Sequence, residues 1–146
     1  MSDKTAVREW QLTKKFRFEA AHLLTGHDGK CARLHGHSWR GKLVFAGSKL
    51  ERGTPKDGML LDFGDIKHQF IKPLEDLLDH SYLNEALVEP APTSEVIAFV
   101  VFQRTKDSLK EQQASGHFLG VRLLRVEISE TCTSSASYSE RSDDVP

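Results

Sequence analysis

Three histidines carry the first chemical signal in this chain. His35-Gly36-His37 sets two imidazoles at i and i+2, and on a strand such residues point the same way, about 7 Å apart. His22 ends an earlier alternating run and falls on its apolar side. If those two runs pair, three neutral imidazoles converge with a fourth position open, which is the ligand set of a catalytic zinc. An isolated His-x-His pair is as well explained by rings hydrogen-bonded in a core. Three histidines on the apolar faces of two neighbouring strands point instead to a Zn2+ ion held by His22, His35 and His37.

Cys31 lies four residues before His35 in a loop with Gly29, Lys30 and Arg33. Two roles are open to it. As a fourth ligand it would close the zinc site and make it structural; as a free thiol beside cations it would be a base. Asp79-His80 reads either as a proton relay, with the carboxylate orienting the ring, or as a solvent-facing loop at a helix end. Glu130 continues the row Leu124, Val126, Ile128, where a carboxylate is costly unless donors reach it. A buried Glu130 can accept the paired N–H edge of an amino-pyrimidine; the other reading ends the strand at Ile128 and leaves Glu130 in water. Glu95 has a sufficient role as a first-turn helix charge behind the cap Thr93. Cys132 has no comparable company, and His27, His68 and His117 read as surface groups.

The elements that must position these residues follow from periodicity. From Trp10 to His22 the even positions are apolar apart from Lys14, and from His35 to Phe45 the odd positions carry the imidazoles, Trp39 and the apolar side chains. Period two of this kind describes half-buried strands, and the cations between Lys14 and Arg17 read as a solvated strand face. Asp62 caps a helix with Ile66, Phe70, Leu74 and Leu77 on one side, and Pro73 within it predicts a kink or break. A second helix starts at Thr93 and carries Ile97, Val100, Val101 and Arg104. A third strand presents Leu124, Val126, Ile128 and Glu130, and a weaker fourth covers Ser134 to Ser139. The expected fold is α+β, a four-stranded antiparallel sheet with two helices on one face in the order strand-strand-helix-helix-strand-strand. One domain over 1–146 is expected, with its core at about 10–138 and a frayed polar tail from Glu140 to Pro146.

Composition narrows the partners. With Lys plus Arg at 20, Asp plus Glu at 21 and a net charge of -1 over 146 residues, no basic excess exists for a nucleic-acid backbone. No stretch approaches the ~18 apolar residues of a membrane span. Two cysteines do not make a disulfide scaffold, and the first residues lack a signal peptide's apolar run. A small-molecule partner and a cytoplasmic address are the expectation.

Taken together the motifs resemble the pyruvoyl-tetrahydropterin synthase family of the tunnelling fold, in its bacterial 6-carboxytetrahydropterin branch. The matching pieces are Phe18-Glu-Ala-Ala-His22, Cys31-Ala-Arg-Leu-His35-Gly-His37, Gly58-Met-Leu-Leu-Asp62-Phe63, Leu78-Asp79-His80-Ser-Tyr-Leu83-Asn84, Pro92-Thr93-Ser94-Glu95 and Glu130-Thr131 with Tyr138. The resemblance implies zinc on His22, His35 and His37, Cys31 as base rather than ligand, and Asp79 and His80 as the relay. It implies a pterin ring anchored by Glu130, with Thr93 and Glu95 lining its pocket. The four-residue step from Cys31 to His35 resembles the queuosine-pathway enzymes rather than the animal synthases. The implied reaction turns 7,8-dihydroneopterin triphosphate into 6-carboxytetrahydropterin, acetaldehyde and triphosphate. A pyruvoyl-forming or other pterin side-chain lyase, and more distantly a non-catalytic zinc-stabilised assembly module, are the competing expectations. The family's stacked trimeric barrels imply a homohexamer with sites between subunits.

Overall fold

The computed structural model describes residue 6 and residues 8–141. Two long alternating segments form β1 (Trp10–His22) and β2 (His35–Gly47). They pair antiparallel from Trp10↔Gly47 to His22↔His35 without a break in register. Directly opposed residues share a face, so this register lines up Phe18 with Trp39 and His22 with His35. β4 (Val121–Thr131) pairs with the other edge of β2, and β5 (Ser134–Tyr138) with β4.

The expected four-stranded antiparallel sheet needs a correction. A fifth strand, β3 (Ser81–Tyr82), pairs parallel with Ala20–Ala21, and the order is β3-β1-β2-β4-β5. Two residues are too few to show a period, so the sequence pattern carries no sign of this strand. A second correction concerns Leu124. The ladder slips one residue on β4, with Val44 opposite Arg125 and Phe45 opposite Leu123. A bulge exchanges the faces on either side of it, so Leu123 is the core residue at 8% exposure while Leu124 is only half-buried.

The helix after Asp62 runs through Pro73 without breaking. Asp62 caps α1 (Phe63–Ile66) by accepting from the Gly64 N–H, and Lys56 pairs with the same carboxylate. A π-helical turn (Lys67–Ile71) then leads into α2 (Lys72–Leu78). Within it the Lys72 N–H donates to the Lys67 carbonyl. The wider turn absorbs the ring and missing N–H of Pro73. It also shifts the buried face, which becomes Ile66, Phe70, Ile71, Leu74 and Leu78, with Leu77 at its margin. A short α3 (Leu83–Ala86), unseen in the sequence pattern, precedes α4 (Ser94–Ala114). Thr93 caps α4 through Val96 N–H as the sequence predicts; the buried side chains are Ile97, Ala98, Val101, Phe102, Thr105 and Leu109.

The helices cover one face of the sheet. Phe18 and Trp39, both within 1% of full burial, stack at 5.9 Å, and the Phe16 ring lies over Gly41. A Cβ at Gly41 would come within 2.2 Å of that ring, so only glycine fits there. Full burial of each such aromatic contributes about 1.5–3 kcal/mol. Lys14, the polar exception in the β1 row, sets its amine 5.8 Å from the Phe63 ring centre. The expected frayed tail is corrected at its start, because Glu140 accepts from Gln103 and pairs with Lys106; residues 142–146 lie outside the described residues. No described helix is long and apolar enough to cross a membrane.

Candidate metal centre

The β1–β2 ladder ends where the imidazoles meet. His22, His35 and His37 come together with Glu130 of β4, and one ligand atom from each lies within 4.8 Å of all the others. His22 is 1% exposed. Its Nδ1 lies 2.9 Å from the Pro92 carbonyl, and His35 Nδ1 lies 2.6 Å from the Arg33 carbonyl. A carbonyl only accepts, so both rings carry their proton on Nδ1 and turn the Nε2 lone pair inward. The two Nε2 atoms are 3.0 Å apart. Two lone pairs at that distance repel unless a cation lies between them. Nitrogens bound to a tetrahedral zinc at about 2.0–2.1 Å are themselves roughly 3.3 Å apart.

The other two members complete the same picture. His37 Nε2 is 2.9 Å from Glu130 Oε1, yet it is a buried polar atom whose geometry makes no hydrogen bond. Glu130 Oε1 is also 3.3 Å from His22 Nε2. Burial lowers the His37 pKa below its ordinary value; Glu130 opposes this, and the neighbouring His22 and His35 reinforce it. The ring is thereby held in the neutral form that binds metal. Orphaned nitrogen, facing lone pairs and an adjacent carboxylate all fit a divalent cation. Trp39 forms the floor, edge-on to His22 at 5.0 Å and to His37 at 5.2 Å, with its Nε1 donating to the Ala20 carbonyl.

Glu130 corrects the reading that ends the strand at Ile128, since β4 continues to Thr131. It is not left in water: its side chain is 30% exposed and lies against the imidazoles. The row parity that put it inward was right; the ladder then brings β4 beside β2 at the histidine end. Cys31 is not part of the group. It sits half-buried on a 3-10 turn (Lys30–Ala32), whose Cys31 carbonyl accepts from Leu24 N–H at 2.8 Å. That bond ties the turn to the chain just beyond His22.

Asp79 and His80 occupy a corner at the other edge of β1. Asp79 Oδ1 accepts from Glu19 N–H at 2.9 Å, and His80 N–H donates to the Glu19 carbonyl at 2.6 Å. His80 adopts a left-handed φ of 56°, which turns its Nδ1 to 3.0 Å from Asp79 Oδ2 and leaves the side chain 81% exposed. The Glu19 N–H first, and His80 second, hold the Asp79 carboxyl below the usual range. An open cleft of about 470 Å³ is lined by both His80 and His37. Thr93 spends its hydroxyl on the α4 cap and Glu95 is exposed in the first turn; the adjoining Pro92 is what reaches the metal group. Sequence reasoning missed Asn84 as a positioning residue. Its side chain accepts from Leu23 N–H at 3.1 Å and donates to the Leu23 and Pro90 carbonyls, binding the end of β1 to the segment that carries Pro92.

A mixed α+β sheet with three imidazoles and a carboxylate at one ladder end defines a protein of the tunnelling fold with a candidate metal site. The profile of the 6-pyruvoyl tetrahydropterin synthase family matches residues 11–141, and the chain belongs to that family. It is 43% identical to the 6-carboxy-5,6,7,8-tetrahydropterin synthase of Synechocystis sp. over 129 residues, covering 88% of this chain and 92% of the relative. The enzyme of the same name from Aquifex aeolicus is 27% identical, with 90% and 99% covered. The solved 6-pyruvoyl tetrahydropterin synthase of Caenorhabditis elegans superposes with a TM-score of 0.73 at 23% identity, covering 92% of this chain and 98% of that one.

Proposed function

We propose that this chain is a zinc-dependent lyase acting in queuosine (7-deazapurine) synthesis. It takes 7,8-dihydroneopterin triphosphate and water to 6-carboxy-5,6,7,8-tetrahydropterin, acetaldehyde and triphosphate. The observation that carries this reading is the convergence of His22, His35, His37 and Glu130 in a chain 43% identical to a 6-carboxy-5,6,7,8-tetrahydropterin synthase. Ring reduction and side-chain oxidation balance within the substrate, so no redox cofactor is needed.

His22, His35 and His37 would hold the zinc, which would supply Lewis-acid polarisation of the substrate's side-chain hydroxyls. Cys31 is the base that removes the proton from the first side-chain carbon. The ionised Asp79 fixes the ring of His80, which handles the proton on the opposite side. Glu130 holds the pterin N–H edge with the carboxylate oxygen that does not face the imidazoles, and Thr93 and Glu95 border the ring. The absence of Cys31 from the metal group favours the base over the structural-ligand role.

The working form is proposed to be a cytoplasmic homohexamer, a dimer of trimers with active sites between subunits. β1 is paired on its outer edge at Ala20 and Ala21 alone among the described residues, and an open edge calls for a partner. The 81% exposure of His80 suits a dyad that serves a neighbouring subunit.

The test is mass-spectrometric product analysis of the zinc-loaded protein with 7,8-dihydroneopterin triphosphate. Matching amounts of 6-carboxytetrahydropterin and acetaldehyde are expected. A pyruvoyl product without acetaldehyde would replace the carboxy assignment, and no turnover of any pterin would remove the lyase reading.

A further inference from the structure

The sheet face turned away from the helices carries a second concentration of charge. Because Phe16 and Phe18 point inward, Lys15 and Arg17 point out, and the register sets Lys15 directly opposite Lys42 and Arg17 directly opposite Arg40. Like charges in direct opposition on a sheet destabilise it. Little on this face offsets them. Lys42 has Glu127 at 3.4 Å, the one ion pair of the quartet among the described residues, while Glu19 accepts from the Ser38 hydroxyl at 2.7 Å. A cavity of about 650 Å³ opens here, lined by these four cations, the hydroxyl-bearing Ser129 and Thr131 and, from the helix side, Lys67 and one carboxylate, Glu75. What reads in the sequence as a solvated strand face is a concave basic surface.

We propose that this face binds a small oligophosphate anion of the class of inorganic triphosphate. The two cation pairs are two residues apart along their strands, about 7 Å, a span that linked phosphates bridge and a lone phosphate does not. Arginine meets phosphate oxygens with two parallel N–H bonds, and the opposed Arg17 and Arg40 offer two such forks. Nucleic acid lacks its usual platform, because the outward β1 positions from Gln11 to Glu19 and β2 positions from Ser38 to Val44 are without an aromatic side chain. The site is separate from the metal centre, whose imidazoles project from the inner face with Trp39. The inference stands without the proposed lyase activity.

The test is calorimetric titration of sodium tripolyphosphate into the full chain at about 0.1 M salt, where exposed charges more than about 10 Å apart are screened. The Arg17→Gln/Arg40→Gln variant is expected to bind at least about tenfold more weakly, the loss of charge-assisted hydrogen bonds, while keeping its metal content. Lys15→Gln/Lys42→Gln is expected to weaken binding in the same direction and serves if the arginine variant does not fold. Lys110→Gln, on the exposed side of α4, and the chelator-stripped wild type are expected to bind like the untreated protein. Equal affinity in both double variants would overturn the site. Loss of binding on stripping the metal would assign the anion to the metal centre, and displacement of tripolyphosphate by a lower concentration of single-stranded RNA would replace the oligophosphate with a nucleic acid.

Discussion

The candidate metal group and the residues proposed to move protons are built in contrasting ways. The three imidazoles ride on two paired strands of 13 residues each, with His22 at 1% exposure and its tautomer set by the Pro92 carbonyl. Cys31 sits on a single 3-10 turn, and His80 on a left-handed corner with its side chain 81% exposed. A ligand set must be held to fractions of an ångström, which a continuous ladder does. Groups that approach a substrate and exchange protons belong on segments that can be completed from elsewhere, here an adjoining subunit in the proposed assembly. One chain brings the four candidate ligands together by itself, whereas in the proposed assembly a neighbouring subunit completes the rest of the site.

Breaking the rigid side should have the largest effect. His35→Ala is expected to lower metal affinity more than about a hundredfold, since loss of a mere outer-shell partner costs 10–100-fold, and metal analysis after dialysis reads it. Cys31→Ala sharpens the contrast. It should retain the wild-type metal content while product formation falls by about 10²–10⁴, the range of acid–base catalysis; full metal with an undiminished rate would remove Cys31 as the base.

Smaller effects test the scaffold beneath the site. Leu123→Ala should cost about 2–4 kcal/mol and Leu124→Ala under about 1 kcal/mol in urea unfolding, because the bulge buries the first and not the second. Thr93→Ala should cost about 1 kcal/mol through the lost α4 cap. Asp79→Asn gives the smallest change, and it depends on pH. The Asp79 pKa is lowered in the folded protein, so its contribution is present above the unfolded carboxyl value and is lost as pH falls through the folded one. The melting temperatures of wild type and Asp79→Asn should therefore converge in strong acid; a gap that persists there would count against the Glu19–Asp79 contact.

The same contrast explains what could be read from the amino-acid order. Trp10–His22 and His35–Gly47 are long enough for period two to show, so their strands, their shared face and the convergence of His22, His35 and His37 all follow from pattern. β3 has two residues and α3 four, too short for any period, and the bulge that moves Leu124 off the core depends on a partner strand. Pro73 signals a disturbance without saying that a π-turn would absorb it. Asn84 is invisible as a clamp because its partners, Leu23 and Pro90, are brought to it by tertiary contacts. Parity along β4 sets Glu130 on the inner face, but its approach to the imidazoles depends on the β2–β4 register.

X-ray absorption at the zinc edge of the loaded wild-type protein tests the central division between holding metal and moving protons. A first shell of nitrogen and oxygen at about 2.0–2.1 Å is expected, unchanged in Cys31→Ala. A sulfur scatterer at about 2.3 Å, lost in that variant, would make Cys31 a ligand and contradict that division.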